Sequence, residues 1–317
     1  MPVSKVLGKA AATRPVVIDP THAAVTGGAT RAQQAVPEAN LRQTGRRRRA
    51  APRTPPPSPP PSPTETTAPL KYTRDKLAER LAELDPGTSV AVVTLLGSLC
   101  PITVGHVQAF VEARRLLLGE ASAARRPARL EPFGAVLGLI SLNGDGYVGR
   151  KLQGKGESSL NIEQRRQLVD LAVAEHDWLG TERRQGETVE ELFSMYPHLE
   201  LVHFYMNGAD DVLRNRKWAW AGPQVRMITM GRPGDTSNVI AQARGAGVDL
   251  DEGHFIMGPE LPDISSSDVR KALACGDLAG AARLLHPDVL AWCVEHGVWR
   301  DAASETDTGT SGGRQRH

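Results

Sequence analysis

Val90-Ala91-Val92-Val93-Thr94-Leu95-Leu96-Gly97-Ser98-Leu99-Cys100-Pro101-Ile102-Thr103-Val104-Gly105-His106 runs from an apolar stretch through a glycine turn into a helical pattern. Val90 to Leu96 reads as a strand, and Val107, Phe110, Val111, Leu117 and Leu118 give the apolar side of a helix over Gly105 to Leu118. Gly97 lets backbone N–H groups approach an anion closely, and the N-terminus of the following helix adds a dipole that favours phosphate. Thr103 and His106 then face the same anion. The arrangement is one for binding a phosphorylated ligand.

The rest of the chain repeats the alternation. After a helix at Tyr72 to Leu84, strands are predicted at Ala135 to Leu142, Leu199 to Tyr205, Val225 to Met230 and His254 to Met257. Helices are predicted at Asn161 to His176, Ser266 to Ala274, Leu278 to Leu285 and Pro287 to His296. Strand and helix in turn define an α/β fold, a Rossmann-like doubly wound parallel sheet, whose ligands bind beyond the carboxyl ends of the strands. Three motifs fall at such ends and can share one cleft. These are the opening turn, Asn143-Gly144-Asp145-Gly146-Tyr147 and Asn207-Gly208-Ala209-Asp210.

Composition divides the 317 residues unevenly. Residues 1–70 carry ten Lys and Arg against three Asp and Glu, and the remainder carries 28 against 33, so the net charge of +2 joins a basic tail to a mildly acidic body. Arg46 to Arg49 and the Pro-rich stretch Pro55 to Pro63 lie in that tail, a composition that builds no packed core. The expected organisation is a disordered tail over 1–70, a single α/β domain over 71–300 and a disordered end over 301–317. Met1 to Val17, without an acid, suits an organelle transit peptide, and the arginine run suits nuclear import. A solvated tail with neither role is the plain alternative, and residence in nucleus or cytoplasm is the expectation.

An acidic body argues against a nucleic-acid partner, whose binding rests on many phosphate contacts. Cys100, Cys275 and Cys293 are odd in number and widely spaced, which points to a reducing compartment rather than a disulfide framework or a zinc site. No stretch approaches the ~18 apolar residues of a membrane-spanning helix, so a soluble protein is expected.

Ile264-Ser265-Ser266-Ser267-Asp268-Val269-Arg270 sets three hydroxyls before a helix and an arginine in its first turns. Serines cap helices routinely, yet hydroxyls, free N–H groups and a guanidinium together also hold the outer phosphates of a nucleoside triphosphate. Paired with Thr103-Val104-Gly105-His106, this segment resembles the nucleotidyltransferase superfamily with (His/Thr)-x-Gly-His and Ile-Ser-Ser-Thr-x-x-Arg motifs. The resemblance runs from about Ser89 to Trp299. Gly97-Ser98, Pro101-Ile102-Thr103 and His106, with Gly144 to Tyr147 and Gly208-Ala209-Asp210, look like the eukaryotic-type nicotinamide/nicotinate mononucleotide adenylyltransferases.

That resemblance implies an enzyme joining ATP to nicotinamide or nicotinate mononucleotide in NAD biosynthesis, with Mg²⁺ carried on the phosphates and no covalent protein nucleophile. It implies that Gly97 and Ser98 hold the mononucleotide phosphate, and that Thr103 and His106 contact the ATP phosphates. By the same resemblance Gly208 and Asp210 would read the adenosine, while Ser266, Ser267 and Arg270 would grip the outer phosphates. It likewise implies that Trp218 stacks on the pyridine ring, that Thr188 touches the same base and that Arg232 lies near the bound nucleotides. His106 and Arg270 are the expected catalytic pair.

Each position also has a plain structural reading: Trp218 in the core, Asp210 as a helix cap, Arg232 as a turn charge, His106 as a capping histidine. The sequence departs from the family at Leu99-Cys100, where Phe-Asn is usual, and at Gln185, where a second tryptophan is expected. The family lysine after Tyr147 falls to Arg150 or Lys151. Alternatives are a pantetheine-phosphate adenylyltransferase or a cytidylyltransferase of the same superfamily, or an inactive nucleotide-binding partner or chaperone module. Homo-oligomerisation and the choice between nicotinamide and nicotinate stay open.

Overall fold

The computed structural model describes residues 68–121 and 126–300. The readings made for 1–67 and for 301–317, the import signals among them, lie outside the described residues.

Six strands form one all-parallel sheet: β1 (Ser89–Gly97), β2 (Ala135–Leu142), β3 (Leu179–Glu182), β4 (Glu200–Gly208), β5 (Arg226–Gly231) and β6 (Phe255–Glu260). Their order is β3-β2-β1-β4-β5-β6. The chain winds outward from β1 to one edge, returns to β4 and winds to the other, which makes this a Rossmann-like doubly wound α/β fold with its switch point between β1 and β4. A central parallel strand is covered on both faces. Val90, Ala91, Val92 and Val93 are accordingly buried on both sides of β1, and every residue of β2 is buried.

The helices are α1 (Ala68–Ala82), α2 (Val104–Leu117), α3 (Asp145–Gln153), α4 (Ile162–Ala172), α5 (Glu187–Met195), α6 (Ala209–Asn215), α7 (Thr236–Gly245), α8 (Ser266–Ala274), α9 (Leu278–Ala282) and α10 (Pro287–Glu295). A main core fills the space around β1, β2 and β4, and a smaller cluster of Ala209, Val212, Trp218, Met227, Val239, Ala243 and Phe255 lies at β5 and β6. Among the described residues no helix is long and apolar enough to cross a membrane.

Two local features bear on the site. Gly144 to Tyr147, the segment after β2, forms the first turn of α3, with Gly144 as its N-cap. The predicted helix over Asn161 to His176 is shorter: Asn161 caps it, its side chain accepting from Gln164 N–H while Gln164 returns to Asn161 N–H, and it ends at Ala172.

Candidate active site

His106 stands at the third position of α2, behind its N-cap Thr103. Thr103 N–H donates to His106 Nδ1 at 3.1 Å, and the Thr103 hydroxyl lies 2.7 Å from the same nitrogen. An Nδ1 that accepts a backbone N–H carries no proton, so the neutral ring keeps its hydrogen on Nε2. Burial, and after it the Arg232 charge, pushes the histidine down to about 4. A neutral imidazole offering an N–H donor results. Thr103 itself is buried and committed to the ring, so its side chain orients His106 instead of being presented to a phosphate as the sequence had suggested.

The second motif meets the first across 160 residues of sequence. Ser265 caps α8, accepting from Asp268 N–H at 3.2 Å. Ser266 Oγ donates to Pro101 O at 2.7 Å, and Arg270 Nη1 donates to Cys100 O at 2.7 Å. A Cβ on Gly105 would lie 3.2 Å from Ile264 Cβ, so glycine there is what lets the start of α2 and the approach to α8 pack together.

Arg270 departs from expectation. It is 5 % exposed, and its remaining donors are taken by Glu157, at 3.1 Å from Nε and 2.6 Å from Nη2, and by Ser267 Oγ at 3.0 Å. The guanidinium the sequence offered to outer phosphates is therefore occupied by a carboxylate.

Around these two helix starts cations gather, several of them paired with carboxylates. Lys151 Nζ donates to Ser98 Oγ at 3.3 Å, which selects Lys151 over Arg150 as the cation beside the opening turn. Burial first, then Lys155, Arg270 and Arg214, lower the Lys151 ammonium, while Asp210 opposes them. Lys155 Nζ reaches Ser267 Oγ at 3.4 Å. Arg232 Nε lies 3.3 Å from Asp210 Oδ1, and its Nη1 lies 3.0 Å from Asp263 Oδ1. Asp210 sits in the first turn of α6 behind the N-cap Gly208, whose lack of a Cβ leaves room for that carboxylate: a Cβ would stand 2.9 Å from Asp210 Oδ1. Gly97, Ser98, Thr103, His106, Gly208, Asp210, Arg232, Ser266, Ser267 and Arg270 thus gather at the carboxyl ends of β1, β4 and β5 and the start of α8.

Trp218 does not join this group. Trp218 is 4 % exposed inside the smaller core cluster, so its ring has no free face for a pyridine, and the core reading replaces the stacking one. The neighbouring Trp220 is the exposed indole, with Lys217 Nζ 5.9 Å from its ring centre. Thr188 lies in the first turn of α5 and gives its N–H to Glu182 Oε2 at 3.4 Å. Glu182 is buried beneath that helix start, also accepting from Ser141 Oγ at 2.5 Å and Gly186 N–H at 3.1 Å, and burial pushes its carboxyl up to about 7. Gln185 is tied to the sheet through Thr94 Oγ1 at 3.3 Å.

Sequence reasoning missed Arg165. Its side chain is fully buried on the apolar face of α4, beside Leu168, Val169 and Ala172. It donates to Ser98 O at 3.0 Å, Asn143 O at 2.8 Å, Asp145 Oδ1 at 2.8 Å and Leu160 O at 3.2 Å. One cation thereby holds the turns after β1 and β2 together. The available signal was an arginine occupying a core position of a 3.6-residue pattern.

Fold and side chains together bring two helix N-termini and several cations to the switch point of a doubly wound sheet, the place where sheets of this kind bind their ligands. No family model matches the chain, and no curated protein matches it in sequence. Among solved structures it is similar to the Plasmodium falciparum nicotinic acid mononucleotide adenylyltransferase complexed with APC, at 10% identity and a TM-score of 0.40 over 67% of this chain and 97% of that one. The same enzyme complexed with NaAD gives 10% identity and a TM-score of 0.41 over 66% and 97%.

Proposed function

We propose that the protein is an adenylyltransferase that joins ATP to nicotinamide or nicotinate mononucleotide, forming the dinucleotide and pyrophosphate. The observation that carries this reading is the packing of Thr103-Val104-Gly105-His106 against Ile264-Ser265-Ser266-Ser267-Asp268-Val269-Arg270, with Gly105 against Ile264 and Ser266 bonded to Pro101. Two phosphate-type helix starts side by side suit the alignment of two anionic substrates.

In the reaction an ionised oxygen of the mononucleotide 5′-phosphate attacks the α-phosphorus of ATP in line. A new P–O bond forms, the bond from the α-phosphorus to the β-bridging oxygen breaks, and pyrophosphate leaves with its electron pair. The nucleophile is already ionised at neutral pH, so the protein's task is to align the anions and stabilise the charge growing on the leaving group. Lys151 and Ser98 would hold the attacking phosphate. His106 Nε2–H would donate to ATP phosphate oxygen, and Lys155, Ser267 and Arg270 would hold the leaving pyrophosphate. Asp210 would accept from ribose hydroxyls.

Among the described residues no group of three or more His, Cys, Asp or Glu side chains is gathered as a metal site, and Asp210 is paired with Arg232. A Mg²⁺ ion would arrive on the triphosphate and neutralise phosphate charge there. Burial of Trp218 removes one feature that favoured a pyridine substrate over the substrates of related transferases. The test is therefore incubation with ATP and Mg²⁺ and, in separate reactions, each pyridine mononucleotide and phosphopantetheine, with CTP replacing ATP as a further arm and products identified by mass.

A further inference from the structure

Arg270 is a buried cation at the start of α8, and Glu157 is what holds it. The chain leaves α3 through a turn in which Gly156 takes φ +72°, Gly156 N–H returns to Gln153 O at 3.0 Å and Glu157 N–H returns to Leu152 O at 3.0 Å. This pair of bonds around a left-handed glycine is a helix-ending motif that fixes the next residue in space. Glu157 is thus aimed by a rigid turn, and the backbone beyond it is pinned by Trp299 Nε1, which donates to Ser158 O at 3.0 Å.

The carboxylate takes two donors of Arg270 through one oxygen, Oε2. With Cys100 O and Ser267 Oγ accepting two more, four of the five guanidinium hydrogens are used. A phosphate can therefore bind Arg270 through more than one hydrogen only after Glu157 leaves it. The surroundings favour that exchange. Lys155, in the same turn, already reaches Ser267, and Lys151 and Arg214 add positive charge nearby. Glu157 keeps 24 % of its side chain exposed, so the carboxylate can rotate outward into water while the backbone stays in place.

We propose that Glu157 is an affinity-setting residue for the polyphosphate subsite: its carboxylate occupies Arg270 in the empty protein and is displaced by the outer phosphates of a nucleoside triphosphate. The proposal rests on the adenylyltransferase reading for the identity of the ligand, and on the Arg270–Glu157 geometry alone for the competition. It differs in sign from a structural role. A carboxylate that merely positions the arginine would, on removal, weaken anion binding, whereas a competitor would, on removal, strengthen it.

The experiment is calorimetric titration of the full chain with inorganic tripolyphosphate, in wild type, Glu157→Gln and Glu157→Ala, with circular dichroism to confirm that all three fold. Glutamine keeps the shape and one acceptor without the charge. We expect tripolyphosphate to bind both variants roughly tenfold more tightly, the scale for one partly exposed opposing charge. Unchanged or weaker binding in the glutamine variant overturns the proposal. Because the probe is inorganic, this result stands apart from product formation: tighter binding in the variants together with no dinucleotide from wild type would reject the adenylyltransferase reading and leave the competition standing.

Discussion

At the scale of single residues, the Thr103 N–H on Nδ1 decides what His106 can be: a neutral donor rather than a cation. Its pKa, lowered to about 4 from an ordinary 6.5, means the unfolded chain takes up a proton before the native one. The resulting stability is fully present above about pH 6.5 and is lost as pH falls toward 4. Activity should therefore show no inflection near 6.5 from this group, and a pH–rate profile measures that directly. His106→Ala should lower the turnover roughly 10²- to 10³-fold, the usual cost of one transition-state donor, with the fold intact by circular dichroism. Trp218 behaves otherwise. With its ring in the core, Trp218→Ala should cost ~3–5 kcal/mol in denaturant unfolding, while the KM for a mononucleotide in the surviving folded fraction changes little. The two helix starts were legible because a glycine turn after an apolar run and a serine run before a helical pattern are local signals. Trp218 was misread because a tryptophan beside basic residues looks alike in sequence whether its ring faces solvent or core, and only the packing of α6, α7, β5 and β6 decides it. Glu157 gave no signal at all, since its partner lies 113 positions away.

Between elements, the critical contact is the start of α2 against the approach to α8. Gly105→Val should force these apart, because even a Cβ there stands 3.2 Å from Ile264 Cβ and valine adds two methyl groups. A steady-state assay should show kcat reduced about ten- to a hundredfold, the penalty of misaligned groups, with Gly105→Ala milder. Long apolar strands such as β1 and β2 were readable from their uninterrupted runs, and β2 was placed at its observed bounds. β3 was not, because Leu179-Gly180-Thr181-Glu182 is four residues long and half polar. Its place in the sheet comes from tertiary contacts: a Cβ at Gly180 would run into Thr73 of α1, and Glu182 is buried under α5. The short helices α3 and α6 were not assigned for a related reason, as each runs only a few residues behind a glycine N-cap. Their positions matter, because α3 carries Lys151 and the turn to Glu157, and α6 carries Asp210.

At the scale of the whole molecule, sheet order turns separate stretches of sequence into one site. The reversal between β1 and β4 sets the switch point at their carboxyl ends, where Arg165 clamps the turns after β1 and β2 to one another. Charge follows the same division. The body as a whole is mildly acidic, yet Lys151, Lys155, Arg214, Arg232 and Arg270 collect at this edge, Arg214 and Arg232 beside Asp210 and Arg270 beside Glu157. The overall architecture was legible because alternating strand and helix patterns admit few arrangements. The internal pairing of the site's charges was not, because it depends on which side chains the sheet brings within 4 Å. The most direct measurement is the product of the wild-type protein incubated with ATP, Mg²⁺ and nicotinamide or nicotinate mononucleotide, read by mass. Stoichiometric dinucleotide and pyrophosphate are expected from at least one mononucleotide, both lost in Arg270→Ala; folded wild-type protein that yields dinucleotide from neither mononucleotide would overturn the adenylyltransferase reading.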